Sequence, residues 1–282
     1  MEVKTYFDQE TATFTHLVWD DSSREAMIID PVLDFNYRSG RTTTHSADTV
    51  IADLNQRSLS LKYILETHAH ADHLSAAPHI KEQCGGQVGI GAKVPLVQDA
   101  FKGVFNMVDL ATDGSQFDLL LGEGDTLSLG ELSIKVIETP GHTPACVSYQ
   151  IDDAIFIGDT FFAPSYGTAR ADFPGGDASA LYQSLQRLLK FPDNTKLYLC
   201  HDYPEEGDSP EPIHTVAEQR NNIHVQDGAE GFIKLRTERD AGLEMPILIL
   251  PSIQVNIRAG ELPAPEDNGI AYLKVPLNQI GK

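Results

Sequence analysis

Basic residues are scarce in this 282-residue chain: 21 Lys and Arg stand against 41 Asp and Glu, a net charge of −20. No basic stripe offsets that field locally, so it repels phosphate backbones and anionic lipid surfaces. Nucleic acid and membrane surfaces are thereby excluded as partners, and a nuclease with them. Long hydrophobic runs are missing too, since nothing approaches the ~18 consecutive apolar residues of a membrane span. The first ten residues, MEVKTYFDQE, have no basic run followed by an apolar run, so no secretory signal is expected there. Only three cysteines occur, Cys84, Cys146 and Cys200, odd in number and widely spaced. They make no disulfide framework; this suits a reducing interior, and a cytoplasmic location is expected. Internal repeats and low-complexity tracts are lacking as well.

What the chain does have is a series of short apolar runs between turn signals: HLVW, EAMIIDP, LKYILET, LSIKVIET, ACVSYQI, DAIFIGD and KLYLC. Each reads as a strand. Helical spacing is clearest over residues 177–190, where Leu181, Leu185, Leu188 and Leu189 share a face and Asp177 can cap the start. A second helix is expected from about residue 72 to 84, stopped by Gly85-Gly86. The fold class is α/β, either two packed sheets or one large sheet with helices outside. Periodicity does not choose between them. No linker divides the first 200 residues, so a single domain over 1–282 is expected. Residues from about 204 onward read as a helix and a Pro-rich tail packed on the core. An exposed strand in that tail would pair two protomers as a homodimer.

One short stretch, Glu66-Thr67-His68-Ala69-His70-Ala71-Asp72-His73, holds three of the ten histidines. Packing needs no such cluster. It follows the strand LKYILET, and three other apolar strands end the same way. LSIKVIET leads to Pro140-Gly141-His142-Thr143-Pro144, DAIFIG to Asp159-Thr160, and KLYLC to His201-Asp202-Tyr203. If those C-terminal ends converge, the side chains share one pocket. Neutral imidazole suits zinc or iron, and a carboxylate adds a hard ligand able to bridge two ions. The count gives His68, His70 and His142 for one ion, Asp72, His73 and His201 for a second, and Asp159 between them. A helix starting at Asp72 would also favour its carboxylate. His16, His45, His79, His214 and His224 stand alone and receive no role. Cys200 adjoins His201, but a strand-end cysteine is read as packing.

The set MIIDP (with Asp30), THAHADH, TPGHTP, FIGDT and CHDY resembles the metallo-β-lactamase superfamily, motif for motif and in order, across about residues 28–203. The resemblance implies an αββα sandwich with metals at its edge and Asp30 supporting the ligands from behind. Membership does not fix the reaction. Hydrolysis by a dizinc site is one outcome; O₂ chemistry at a single Fe(II), held by two histidines and a carboxylate, is the other. Glyoxalase II typically carries GCGR, a Phe-Glu pair and H-E-Y. Here Arg170-Ala171-Asp172-Phe173 and H-D-Y are similar to the persulfide dioxygenases, although Tyr166-Gly167-Thr168-Ala169 replaces their GCG and the tail is longer. That branch implies one Fe(II) on His68, His142 and Asp159, with His70, Asp72, His73 and His201 close by. It also implies glutathione persulfide and O₂ as substrates, and glutathione and sulfite as products. Arg170 would anchor Asp172 or a substrate carboxylate, and Tyr203 would hydrogen-bond near the site. Arg220, on the helix-like VAEQRNN, resembles a substrate-side segment but reads as a solvated face. The hydrolase reading keeps two Zn(II) and a glutathione thioester.

Overall fold

A computed structural model describes residues 1–205 and 207–281. The pleat of each strand sorts its side chains to two faces, and here both faces are buried. In β2 (Thr13–Trp19), Leu17 and Trp19 enter one apolar cluster and Val18 another; in β3 (Glu25–Ile29), Ile28 joins the first, Met27 and Ile29 the second. The second cluster lies between two six-stranded sheets. One has the order β1 (Glu2–Asp8), β2, β3, β6 (Ser60–Leu65), β8 (Gln87–Gly91), β9 (Leu119–Leu121). The other runs β10 (Thr126–Leu129), β11 (Leu132–Glu138), β12 (Val147–Ile151), β13 (Ala154–Phe156), β14 (Lys196–Tyr198), β15 (Ile213–Thr215). Two sheets, not one, therefore form the centre, and every strand-like run of the sequence coincides with one of their strands.

Helices cover both outer faces. α1 (His45–Gln56), α2 (Ala77–Cys84) and α3 (Val94–Val104) bury Leu54, Ile80 and Phe101 against the first sheet. α7 (Ile249–Asn256) adds Ile249 and Ile253 to the same layer. α4 (Ala178–Leu188) lays Leu181, Leu185 and Leu188 on the second sheet, beside Phe232 of α6 (Gly228–Asp240). Asp177 caps α4, accepting from the Ala180 amide at 2.8 Å. The arrangement is helix–sheet–sheet–helix, the αββα sandwich. α5 (Val216–Gln219) is a single turn closed by a Thr215–Glu218 capping box. Arg220 directly follows it and pairs with Asp193 at 2.9 Å.

The helix expected from residue 72 begins later, at Ala77. Residues 68–73 form an irregular, bent segment, and β7 (Leu74–Ser75) pairs with β4 (Val32–Asn36) through Leu33↔Leu74 and Val32↔Ser75. β4 in turn forms a hairpin with β5 (Arg41–Thr43). Strand pairing takes the backbone that a helix would have used, so Asp72 has no helix N-terminus behind it. The tail after residue 260 contains no helix or strand among the described residues.

Candidate metal centre

Topology brings the polar clusters to one rim. β11, β13 and β14 run in the same direction, and β3 and β6 are parallel. His68–His73 follow β6, His142 follows β11, Asp159 follows β13 and His201 follows β14. Two glycines allow the close approach. A Cβ on Gly141 would lie 2.2 Å from the Leu181 amide nitrogen of α4, and one on Gly158 would lie 2.7 Å from Thr67 Oγ1. Both have positive φ, which glycine adopts without strain.

The seven expected ligand residues meet there in two groups. His68, His142 and Asp159 form one; His70, Asp72, His73 and His201 form the other; within each group the facing atoms lie within 4.8 Å of one another. Asp159 Oδ2 stands 3.7 Å from His68 Nε2 and 3.6 Å from His142 Nε2, and Asp159 Oδ1 is 3.4 Å from His201 Nε2. Asp159 thus reaches both groups. Ligands about 2.1 Å from one ion stand roughly 3.0–3.4 Å apart, so the first group is slightly wider than a filled site. The sequence-based count placed His70 with His68 and His142. In the structure its Nδ1 faces the second group, because its Nε2 turns away to Asp30 (3.0 Å) and Glu66 (3.3 Å).

Each imidazole is held from behind. His142 Nδ1–H donates to the Arg170 carbonyl at 2.8 Å, and His201 Nδ1–H to that of Ala12 at 3.1 Å. Thr67 gives its hydroxyl proton to Asp30 Oδ2 and stands 3.0 Å from His68 Nδ1, which donates to it. His73 Nδ1 lies 3.2 Å from Asp72. Such bonds fix ring orientation and leave the opposite nitrogen facing inward. His68 Nε2, His70 Nδ1, His73 Nε2 and Asp159 Oδ1 are buried without a hydrogen-bond partner, whereas His201 Nε2 faces Asp72 at 3.0 Å. Unpaired buried polar atoms are costly, and four of them facing into these two groups are what bound metal would satisfy. The donor set, imidazoles with carboxylates, fits zinc or iron.

Electrostatics agree. Asp30, Glu66, Asp72 and Asp159 crowd this rim and call for positive charge. Desolvation, with His70 and His142 nearby, holds His68 well below its ordinary range. At His201 burial is outweighed by Asp72 and Asp159, which push it up to about 9. At His70 burial is likewise outweighed, by Asp30 and Glu66. Burial, reinforced by Asp72 and Asp159, also pushes the Tyr203 hydroxyl upward, so it remains a neutral donor. Cys200 is buried, and desolvation holds it as a thiol.

The remaining expected residues lie around this rim. Asp30 accepts from the Thr67 amide and hydroxyl at 2.7 and 2.8 Å as well as facing His70. Arg170 spends three of its N–H groups on the protein, two on Asp172 (2.6 and 2.9 Å) and one on the Glu244 carbonyl (2.7 Å). Tyr203 stacks on Tyr166 with ring centroids 4.6 Å apart. A cavity of about 150 Å³ opens on His142 and Asp159; a larger cleft of about 690 Å³ adjoins it, and Asp72, Arg170 and Tyr203 line both.

Other supporting residues were not visible in the sequence. Asn256, at the end of α7, donates to the carbonyls of His70 (2.8 Å) and His73 (2.7 Å) and accepts from the Ser75 amide (2.9 Å). Arg236, buried in α6, donates to the carbonyls of Thr168 and Ala169 and to Asp240, while Asp240 accepts from the Ala171 amide. The Arg170 carbonyl that orients His142 is thereby gripped on both sides. No short motif marks either residue; only their unpromising polarity on otherwise packed helices was available as a signal.

A model of the metallo-beta-lactamase superfamily matches residues 9–201, and the chain belongs to that superfamily. The chain is 51% identical to a probable metallo-hydrolase of Burkholderia pseudomallei, over 99% of this chain and 100% of that one. It is 47% identical to glyoxylase B2 of Dictyostelium discoideum, over 99% and 98%. Within the superfamily it resembles the persulfide dioxygenase branch. The mitochondrial persulfide dioxygenase ETHE1 of Mus musculus is 30% identical over 92% of this chain and 88% of its own. The crystal structure of ETHE1 from Myxococcus xanthus superposes with a TM-score of 0.75 at 30% identity, covering 93% of this chain and 100% of that one. Among the described residues, no helix is long and apolar enough to cross a membrane.

Proposed function

We propose that this chain is an iron-dependent sulfur dioxygenase that converts glutathione persulfide, O₂ and water to glutathione, hydrogen sulfite and a proton. The observation that carries the reading is the group of His68, His142 and Asp159, two imidazoles and a carboxylate, of which His142 and Asp159 open on a cavity. One Fe(II) per chain on these three would supply O₂ binding and activation, with open positions left for substrate. His68 is oriented by Thr67 and His142 by the Arg170 carbonyl. Asp72 and His201 approach one another at 3.0 Å, so within the second group this pair offsets its own charge. Tyr203, a neutral donor beside the site, would hydrogen-bond the terminal sulfur. Phe162, Phe173 and Arg170 line the smaller cavity. The similarity to ETHE1 proteins supports the same reading.

A second reading has its own support. The His70, Asp72, His73 and His201 group is intact, and relatives of higher identity are named metallo-hydrolase and glyoxylase. Two Zn(II) ions, which the two groups and the Asp159 carboxylate that faces both would hold, would make the chain a hydrolase of glutathione thioesters. Protein purified without added metal decides between them. About one iron per chain, with oxygen uptake on glutathione persulfide, is expected. Two zinc ions with S-lactoylglutathione hydrolysis and no oxygen uptake would overturn the proposal.

A further inference from the structure

The charged residues lining the larger cleft are mostly acidic: Asp8, Glu10, Asp34, Asp72 and Glu244, against two cationic lining residues, Arg170 and Arg38. Arg170 is committed to Asp172 and Glu244, as described. Arg38 donates only its Nε–H, to the neighbouring Tyr37 hydroxyl at 3.0 Å, and its two terminal nitrogens have no protein acceptor among the described residues. The backbone at Arg38 is held by its turn. The Asn36 side-chain oxygen accepts from the amides of Arg38 (3.1 Å) and Ser39 (3.0 Å), locking the turn of the β4–β5 hairpin. The same β4 pairs with β7, which begins one residue after His73. Arg38 lies five positions beyond Leu33, which pairs with Leu74, an extended span of at most about 18 Å. A tripeptide extends about 10 Å, and the long arginine side chain covers much of the difference.

We infer that Arg38 binds a carboxylate of the thiol carrier, so that the cleft selects a zwitterionic peptide persulfide over a phosphate-bearing one. This rests on the persulfide reading of the metal centre. A guanidinium pairs with a carboxylate in a fork of two charge-assisted hydrogen bonds. The surrounding carboxylates suit the ammonium of a glutamyl group, and the acidic walls repel a polyphosphate such as that of coenzyme A. Tyr37, 56% exposed and stacked against Arg38 with 5.5 Å between guanidinium and ring centroid, gives the apolar part of the peptide a surface.

The test compares wild type with Arg38→Ala and Arg38→Lys in oxygen uptake on three persulfides: those of glutathione, of its diethyl ester and of coenzyme A. For Arg38→Ala the KM for glutathione persulfide is expected to rise about tenfold or more with kcat within about twofold, and Arg38→Lys to recover part of the loss. Wild type is expected to favour the free acid over the ester, and the alanine variant to lose that preference. An unchanged KM, a preference that survives in Arg38→Ala, or equal use of the coenzyme A persulfide overturns the inference. Calorimetric binding of glutathione itself separates the two readings. If wild type oxidises no persulfide, the proposed reaction fails. Glutathione binding lost in Arg38→Ala then still supports the anchor, and binding equal to wild type overturns it.

Discussion

His16 sits on β2 with both ring nitrogens engaged: Nε2–H donates to the Leu199 carbonyl at 2.9 Å, and Nδ1 faces the Thr5 hydroxyl at the same distance. Its charged form is disfavoured, first by desolvation, so its pKa falls from 6.5 to about 4. The unfolded chain takes up a proton as pH drops below 6.5, whereas the native ring stays neutral until about 4. The stability of the neutral ring is therefore complete above 6.5 and lost as pH falls through 4, by about 3 kcal/mol. Urea unfolding at several pH values should show this slope, and it should flatten in His16→Phe; a variant with the wild-type slope would assign the effect elsewhere. At the metal centre, His142→Ala is expected to lose metal retention while far-ultraviolet circular dichroism stays native. Full metal content in that variant would refute the ligand assignment. The candidate ligands were legible because residue type carries the chemistry: imidazole and carboxylate at strand ends are unusual for any other purpose. His70 was harder to place, because which nitrogen faces inward depends on Asp30 and Glu66 behind it, and spacing does not encode that.

Among the elements, α7 does more than fill space. Asn256→Leu leaves two carbonyls and one amide of the 70–75 loop without their partner, at a cost of about 2–4 kcal/mol. Metal affinity should fall about tenfold or more, as when an outer support of a ligand is removed. Chelator competition with the variant measures this; an unchanged affinity would show that the loop holds its shape unaided. Gly141→Ala should cost at least about 2 kcal/mol, since its φ of +137° and the Leu181 backbone both oppose a side chain; a thermal melt checks it. The strands of the sandwich and α4 were legible because period-2 and period-3.6 patterns survive any tertiary context. The start of α2 was not. Residues 72–76 look compatible with a helix, and only the distant β4 and Asn256 show why their backbone bonds go elsewhere.

For the molecule as a whole, the metal is a ligand of the native state alone. With free metal a thousandfold above its dissociation constant, the linkage is worth about 4 kcal/mol. Chelation should accordingly lower the melting temperature and readdition restore it; an indifferent melt would mean that the buried donors hold nothing. The net charge of −20 was legible at once and bears on partners more than on fold. The reach of Asn256 and Arg236 back to the ligand loops bears on something else, the order of biosynthesis. The ribosome adds about 5–20 residues each second, so roughly 10–40 s pass between His73 and the asparagine that braces it. Through that interval the nascent histidines are present but unbraced. A prematurely terminated polypeptide ending before α7 would carry the whole donor set without the asparagine that braces it, and is expected to hold metal less tightly.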